Sequence, residues 1–206
     1  MANGGYDDGY EVCDCFWGPN PAEMVQEACK MFPVKDGLRS VDLGCGEGKN
    51  SAELARSGFS VLALDKSHFA IAHAIAMHDS NAITWITTDL LTITGPVERF
   101  ELAIATGSFH CLQTPDDISK AVALMQRLTK PGGINVLYSF NDGPQDMSGH
   151  SPEFQPTLLP HDWYVSQYQR GWKILKATNV LQPDVHPNNN IPHSHSITRI
   201  LAKKDS

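Results

Sequence analysis

Val41-Asp-Leu-Gly-Cys-Gly-Glu-Gly-Lys-Asn50 is the stretch whose reading decides the fold. A short apolar run, Arg39–Leu43, leads into it, and a helical pattern from about Asn50 to Ser57 leads out. Strand, glycine-rich turn and helix in that order form the loop on which α/β proteins seat anionic ligands. The glycines let the backbone turn sharply and let a ligand approach the main chain. The helix start behind them offers unpaired N–H groups and the positive end of a dipole.

Outward from this loop the alternation repeats. Ser60–Leu64, Ile83–Thr87, Phe100–Ala105 and Ile134–Tyr138 read as strands. Ser67 is placed to cap a helix carrying Ile71, Ala74, Ile75 and His78. Thr114-Pro115 opens another through Leu128, with Ile118, Val122, Met125 and Leu128 on one face. Strands alternating with helices predict an α/β fold with a doubly wound, mostly parallel sheet covered on both faces. Upstream, Asn20, Pro21 and Glu23 predict a capped helix start, with Val25, Ala28, Cys29 and Phe32 on its apolar face and Pro33 at its end. Downstream, residues 141–160 are rich in Gly, Pro, Asp and Ser and predict a long loop of the kind used as a lid or binding loop. A short helix near His161–Gln169 and strands Trp172–Val180 and Ser196–Ala202 follow, the strands pairing antiparallel at the sheet edge. The expected organisation is one domain over 1–206: an N-terminal lid and helix (1–35), a ligand-binding core (38–140), an acceptor-side loop and helix (141–170) and edge strands (171–206).

Composition bounds the function. The 206 residues carry 16 Lys and Arg against 23 Asp and Glu, a net charge of −7. That balance argues against a nucleic-acid or membrane-surface partner, since both need cations facing phosphate. The five cysteines (Cys13, Cys15, Cys29, Cys45, Cys111) do not form a disulfide framework. The acidic start Met1–Asp8 lacks the basic residues and apolar run of a signal peptide, so a reducing cytoplasm is the expected location.

Which ligand the loop takes follows from its neighbours. A dinucleotide fingerprint would need glycine where Lys49 stands, which disfavours a nicotinamide enzyme. Asp42 is suited to attract the amino group of an amino-acid-like ligand, while the loop N–H groups hold its carboxylate. Asp65 ends the second strand, where a carboxylate grips two ribose hydroxyls. Asp89 follows the third strand and is placed to accept from an exocyclic adenine amine. One ligand with an amino acid, a ribose and an adenine satisfies all three.

In these residues the chain resembles the class I S-adenosylmethionine-dependent methyltransferases. The Asp42–Gly48 loop, Leu64-Asp65, Thr88-Asp89, Ala105-Thr106-Gly107 and Lys130-Pro-Gly-Gly133 occur in order across residues 38–140. The resemblance implies S-adenosylmethionine as cofactor, a seven-stranded sheet of order 3-2-1-4-5-7-6, and Trp17, Asp42, Gly44, Cys45, Gly46, Asn50, Asp65, Lys66, Asp89, Leu90 and Thr106 as cofactor contacts. More narrowly, Phe16-Trp17-Gly-Pro-Asn-Pro21 and the His-rich end resemble the tellurite-resistance (TehB-like) branch, with thiopurine methyltransferases as architectural relatives. That branch implies a small-molecule acceptor, with a soft sulfur, selenium or tellurium nucleophile. The segment Gly107–Leu112 departs from the branch.

His110, just past the fourth strand, is the candidate general base for an oxygen or nitrogen acceptor, the alternative reading. Phe16, Phe109, His161, Trp163 and Tyr164 are candidate acceptor contacts, and Phe154, Leu158 and Leu159 candidate pocket walls. His193 and His195 lie two apart on a predicted strand and so share a face. With no clear further ligands in the sequence, no metal is expected and these rings read as a surface or acceptor wall. Cys13 and Cys15 read as incidental. A non-catalytic cofactor-binding regulatory module is the alternative of another class, and oligomeric state is not legible.

Overall fold

The computed structural model describes residues 6–13, 15–33, 37–94 and 100–206. Met1–Gly5, the larger part of the acidic start, and Asp14 between the two N-terminal cysteines lie outside them. The central sheet runs β3-β2-β1-β4-β5-β7-β6, the order that the family resemblance implied. Its strands are β1 (Arg39–Leu43), β2 (Ser60–Asp65), β3 (Ile83–Thr87), β4 (Phe100–Thr106), β5 (Thr129–Gln145), β6 (Trp172–Asp184) and β7 (His193–Lys204). β1 to β5 pair in parallel, and β7 pairs antiparallel with both β5 and β6.

The helices are α1 (Asp7–Val12), α2 (Glu23–Cys29), α3 (Lys49–Arg56), α4 (His68–Met77), α5 (Pro115–Leu128) and α6 (His161–Ser166). Val41 and Leu43 on β1 and Leu102 and Ile104 on β4 are fully buried, because helices cover both sheet faces. One face packs α5 residues Ile118, Val122 and Met125 with Leu137. The other packs Met24, Val25 and Ala28 of α2 with Leu54 and Phe59. Ser67 caps α4 through Ala70 N–H, and Thr114 caps α5 through Asp117 N–H, as their positions predict.

Three expectations are corrected. Asn20 does not cap α2: the cap is Ala22, whose N–H donates to Asn50 Oδ1 from across the chain at 2.8 Å. The loop expected at 141–160 begins later, because β5 continues to Gln145, which pairs with His195. β6 and β7 are likewise longer than expected, forming a ribbon in which Asp184 faces His193. Among the described residues, no helix is long and apolar enough to cross a membrane.

Candidate active site

A cavity of about 800 Å³ opens at the C-terminal ends of the parallel strands. It lies where β1 and β4 send the chain in opposite directions, the crevice in which open α/β sheets bind ligands. Its volume accommodates a nucleoside cofactor together with a small acceptor.

The glycine loop forms its floor, and the structure revises how that loop works. Gly44 and Cys45 both donate their N–H to Leu64 O, Gly46 N–H donates to Asp65 Oδ2 at 2.8 Å, and Gly48 N–H donates to Cys45 O. The first three amides hold the loop against β2, and the fourth closes the loop on itself. The groups left for an anion are the first-turn amides of α3, whose N-cap Gly48 supplies no side chain. The glycines instead provide closeness. Gly46 has φ +52°, and a Cβ there would sit 2.9 Å from Tyr10 Oη; one at Gly48, φ +82°, would collide with the Trp85 ring.

Asp65 accepts from Ser67 N–H at Oδ1 and from Gly46 N–H at Oδ2, which fixes the carboxylate at the cavity wall. Burial raises its pKa. Lys66 lies beside it, and Asp89 and Leu90 line the same end. Asp89 Oδ1 accepts from Leu91 N–H, capping the short helical turn Leu90–Thr92. Asn50 Nδ2 donates to Thr106 Oγ1 at 2.7 Å, tying α3 to the end of β4.

Asp42 is the exception among the cofactor candidates. It is fully buried beneath the loop and outside the cavity wall, with Oδ2 accepting from Ser51 Oγ at 2.7 Å. Its Oδ1 has no hydrogen-bond partner, and burial pushes its pKa up to about 7. It acts on the loop from below.

The N-terminal segment lines one side of the crevice, held by contacts that the sequence does not signal. Glu47 Oε1 accepts from Cys15 N–H at 2.8 Å, its Oε2 faces Trp17 N–H at 3.5 Å, and Lys49 Nζ donates to Trp17 O at 2.6 Å. Trp17 Nε1 donates to Tyr10 Oη, and Tyr6, Tyr10, Cys15 and Trp17 face the cavity.

His110 lines the cavity, but its ring is not arranged as a base. Nδ1 accepts from Phe140 N–H at 3.2 Å, so the proton of the neutral ring sits on Nε2, which donates to Tyr6 Oη at 3.1 Å. Burial, with His195 and His150 adding to it, lowers the ring's pKa to about 3. No lone pair of this tautomer remains for a substrate proton.

The five acceptor candidates do not line the cavity. Phe109 and Tyr164 are buried in the core, Tyr164 sharing a 2.8 Å hydrogen bond with Ser139. Trp163 packs edge-on against Tyr164, and His161 meets Thr198 Oγ1, so α6 docks on the sheet. Phe16 stacks on His186, with centroids 4.6 Å apart. Phe154 and Leu158 pack with Tyr6 and Phe140 in a third apolar cluster, and Leu159 joins the main core. Tyr6, Trp17, Leu112, Phe140 and Ile197 are among the residues that do line the cavity.

Comparison with known proteins agrees with this geometry. Residues 41–133 match the model of a methyltransferase domain. Hemagglutinin 1 of Eikenella corrodens is 31% identical over 140 residues, 67% of this chain and 45% of that protein. A ubiquinone biosynthesis O-methyltransferase of Alkalilimnicola ehrlichii is 31% identical over 137 residues, 62% of this chain and 54% of the enzyme. The chain thus spans about half the length of these relatives. In structure it is similar to TehB from Haemophilus influenzae (TM-score 0.71, 20% identity, 89% of this chain and 62% of that one). It is also similar to the N-methyltransferase NodS from Bradyrhizobium japonicum, solved with S-adenosyl-L-homocysteine (TM-score 0.74, 16% identity, all of both chains). Residues 41–133 thus match a methyltransferase domain, and the sheet on which that domain is built has the fold of these solved methyltransferases.

Proposed function

We propose that the chain transfers a methyl group from S-adenosylmethionine to a small apolar acceptor whose nucleophile is a soft sulfur, selenium or tellurium atom. The observation that carries this reading is the crevice itself: Asp65, Asp89 and the start of α3 face one cavity, which Tyr6, Trp17, Leu112 and Phe140 also line. The loop fits the cofactor because the uncapped start of α3 suits a carboxylate. When bound, the cofactor supplies an electrophilic methyl group on a positively charged sulfur. Asp65 would hold the ribose hydroxyls, and Asp89 and Leu90 would hold the adenine. Lys66, Cys45 and the Asn50–Thr106 bridge fix the surrounding wall. Tyr10 and Trp17 close over the cavity, exclude water and align the acceptor for in-line attack.

The tautomer of His110 supports a soft nucleophile, which needs little help from a base. His110 is then a positioning residue that orients Tyr6. O-methylation is the second reading, favoured by the relative named for ubiquinone biosynthesis.

Calorimetric titration with S-adenosylmethionine and S-adenosylhomocysteine tests the cofactor. Micromolar binding that collapses in Asp65→Ala is expected, and no binding by folded wild type overturns the reading. Turnover against thiols, selenite, tellurite, phenols and amines then tests the acceptor. Preference for phenols or amines would replace the soft-nucleophile reading, and cofactor binding with no turnover on any class would favour a regulatory module.

A further inference from the structure

Four histidines lie outside the cavity wall and take no part in the proposed reaction. His150 comes from the loop after β5, His186 from the β6–β7 connection, and His193 and His195 from the start of β7. Ligand atoms of His150, His186 and His193 lie within 4.8 Å of one another, as do those of Asp184, His193 and His195. His193 and His195 alternate along one strand and therefore share a face. The histidines come from three segments, with His150 at least 36 residues before the others, which is why the His-x-His pair alone gave no sign of further ligands.

The hydrogen bonds fix which nitrogens face the centre. Gln145 Nε2 donates to the carbonyls of Asn141 and Ser196, so its Oε1 is the acceptor for His195 Nδ1 at 2.9 Å. His193 Nδ1 lies 2.8 Å from Ile191 O, which only accepts. Both rings therefore carry their proton on Nδ1 and a lone pair on Nε2. Metal-bound histidines are oriented in this way, with the second ring nitrogen donating to a carbonyl. His195 Nε2 is 2.9 Å from His150 Nε2, which is 3.4 Å from His186 Nε2. A tetrahedral ion with metal–nitrogen bonds of about 2.0–2.1 Å holds its donors roughly 3.3 Å apart.

His193 supplies the independent observation. It is only 6% exposed, and its Nε2 is buried with no hydrogen-bond partner. A protein does not ordinarily leave such an atom unmatched. One proton on His150 can satisfy one neighbour, whereas a cation satisfies all the converging lone pairs at once.

We propose that His150, His186, His193 and His195 bind one divalent transition-metal ion of zinc's class, with Asp184 beside it offsetting part of its charge. All-imidazole ligation selects this class over magnesium or calcium, which take oxygen donors. The ion clips the 146–160 loop and the β6–β7 connection to β7. It also stiffens the acceptor end, because Phe140 is stacked between His195 and His110 with centroids 4.1 and 3.9 Å away. Through the stack of His186 on Phe16, it reaches the lid. The inference concerns metal binding alone and stands whether or not methyl transfer is the activity.

Untagged protein, stripped with chelator and dialysed, is titrated with Co²⁺ and then Zn²⁺. One equivalent of Co²⁺ giving the intense visible bands of a tetrahedral site, displaced by one equivalent of Zn²⁺ with a rise in Tm, is expected. His150→Ala, a loop residue whose loss spares the sheet, removes the bands. Gln145→Leu, which deprives His195 of its orienting acceptor, weakens Zn²⁺ binding by roughly 10- to 100-fold. Absence of tetrahedral cobalt bands in folded wild type overturns the proposal without reliance on any variant, as does cobalt binding that His150→Ala and His193→Ala both leave unchanged.

Discussion

Burial and two neighbouring imidazoles keep His110 neutral down to about pH 3, so its ring does not titrate in the working range of an enzyme. The expected pH–rate profile between pH 5.5 and 8 therefore has no inflection owed to His110, and His110→Ala changes its height but not its shape. An inflection near pH 6–7 that vanishes in the variant would restore the base. Asp42 gives the opposite kind of signal. Its pKa rises from 3.8 to about 7 on folding, so the folded state holds a proton that the unfolded state has released across that window. Stability from this group is therefore lost as pH rises from about 4 to 7, and the loss is complete above the folded pKa. Relative to wild type, Asp42→Asn should gain nothing near pH 4, then about 1.4 kcal/mol per pH unit, levelling above pH 7 at up to about 4 kcal/mol. A constant cost for the buried amide is superimposed on this. Denaturant unfolding at pH 4, 6 and 8 measures the trend, and a difference independent of pH would show that Asp42 ionises normally in the folded state.

Among the elements, the N-terminal segment packs Tyr6, Tyr10 and Phe16 in an apolar cluster but is tied to the glycine loop by a few polar contacts. Among the described residues, Glu47 accepts from the N–H groups of both Cys15 and Trp17, and it is buried at 6% exposure beside His73. Charge-assisted bonds of this kind are worth roughly 1.5–3 kcal/mol, so Glu47→Ala should weaken cofactor binding by about 10- to 100-fold. It should also speed proteolytic cleavage between residues 12 and 20 while the core Tm moves little. Unchanged affinity with faster cleavage would mean that the lid does not cover the cofactor. None of this attachment was legible in the sequence, because Glu47 and Lys49 sit within the glycine loop, where the ligand claims attention, and their partners are backbone atoms that no residue pattern reveals. α1 was missed because six residues following a Gly-Gly pair carry no helical period. The parallel core was legible, since short buried strands and capped helices announce themselves locally in Val41–Leu43, Ser67 and Thr114. The reach of β5 through Asn141-Asp-Gly-Pro144 was not, because pairing with β7 overrides the turn propensity of those residues. The part of the cavity wall that follows the strand ends could be read; the part assembled from α1, β5 and β7 could not.

At the scale of the whole molecule, the cavity joins parts remote in sequence: α1 and the lid, the ends of β1 to β4, and the ribbon residues Gln182–Asp184, Ile197 and Arg199. A ligand that touches the lid and the strand ends together binds only when both are in place, so its binding free energy adds to the stability of the folded state. S-adenosylhomocysteine at 100 times its Kd should add about 2.7 kcal/mol. For a chain of 206 residues this corresponds to a rise in Tm of roughly 5–10 °C. Asp65→Ala, tested at the same concentration, should show little of that rise. Glu47→Ala should keep a smaller rise, since Asp65 and Asp89 remain while the lid contributes less. The three proteins distinguish a ligand that spans the crevice from one held at the strand ends alone: equal rises in wild type and Glu47→Ala would confine the ligand to the strand ends, and an equal rise in Asp65→Ala would remove it from the crevice.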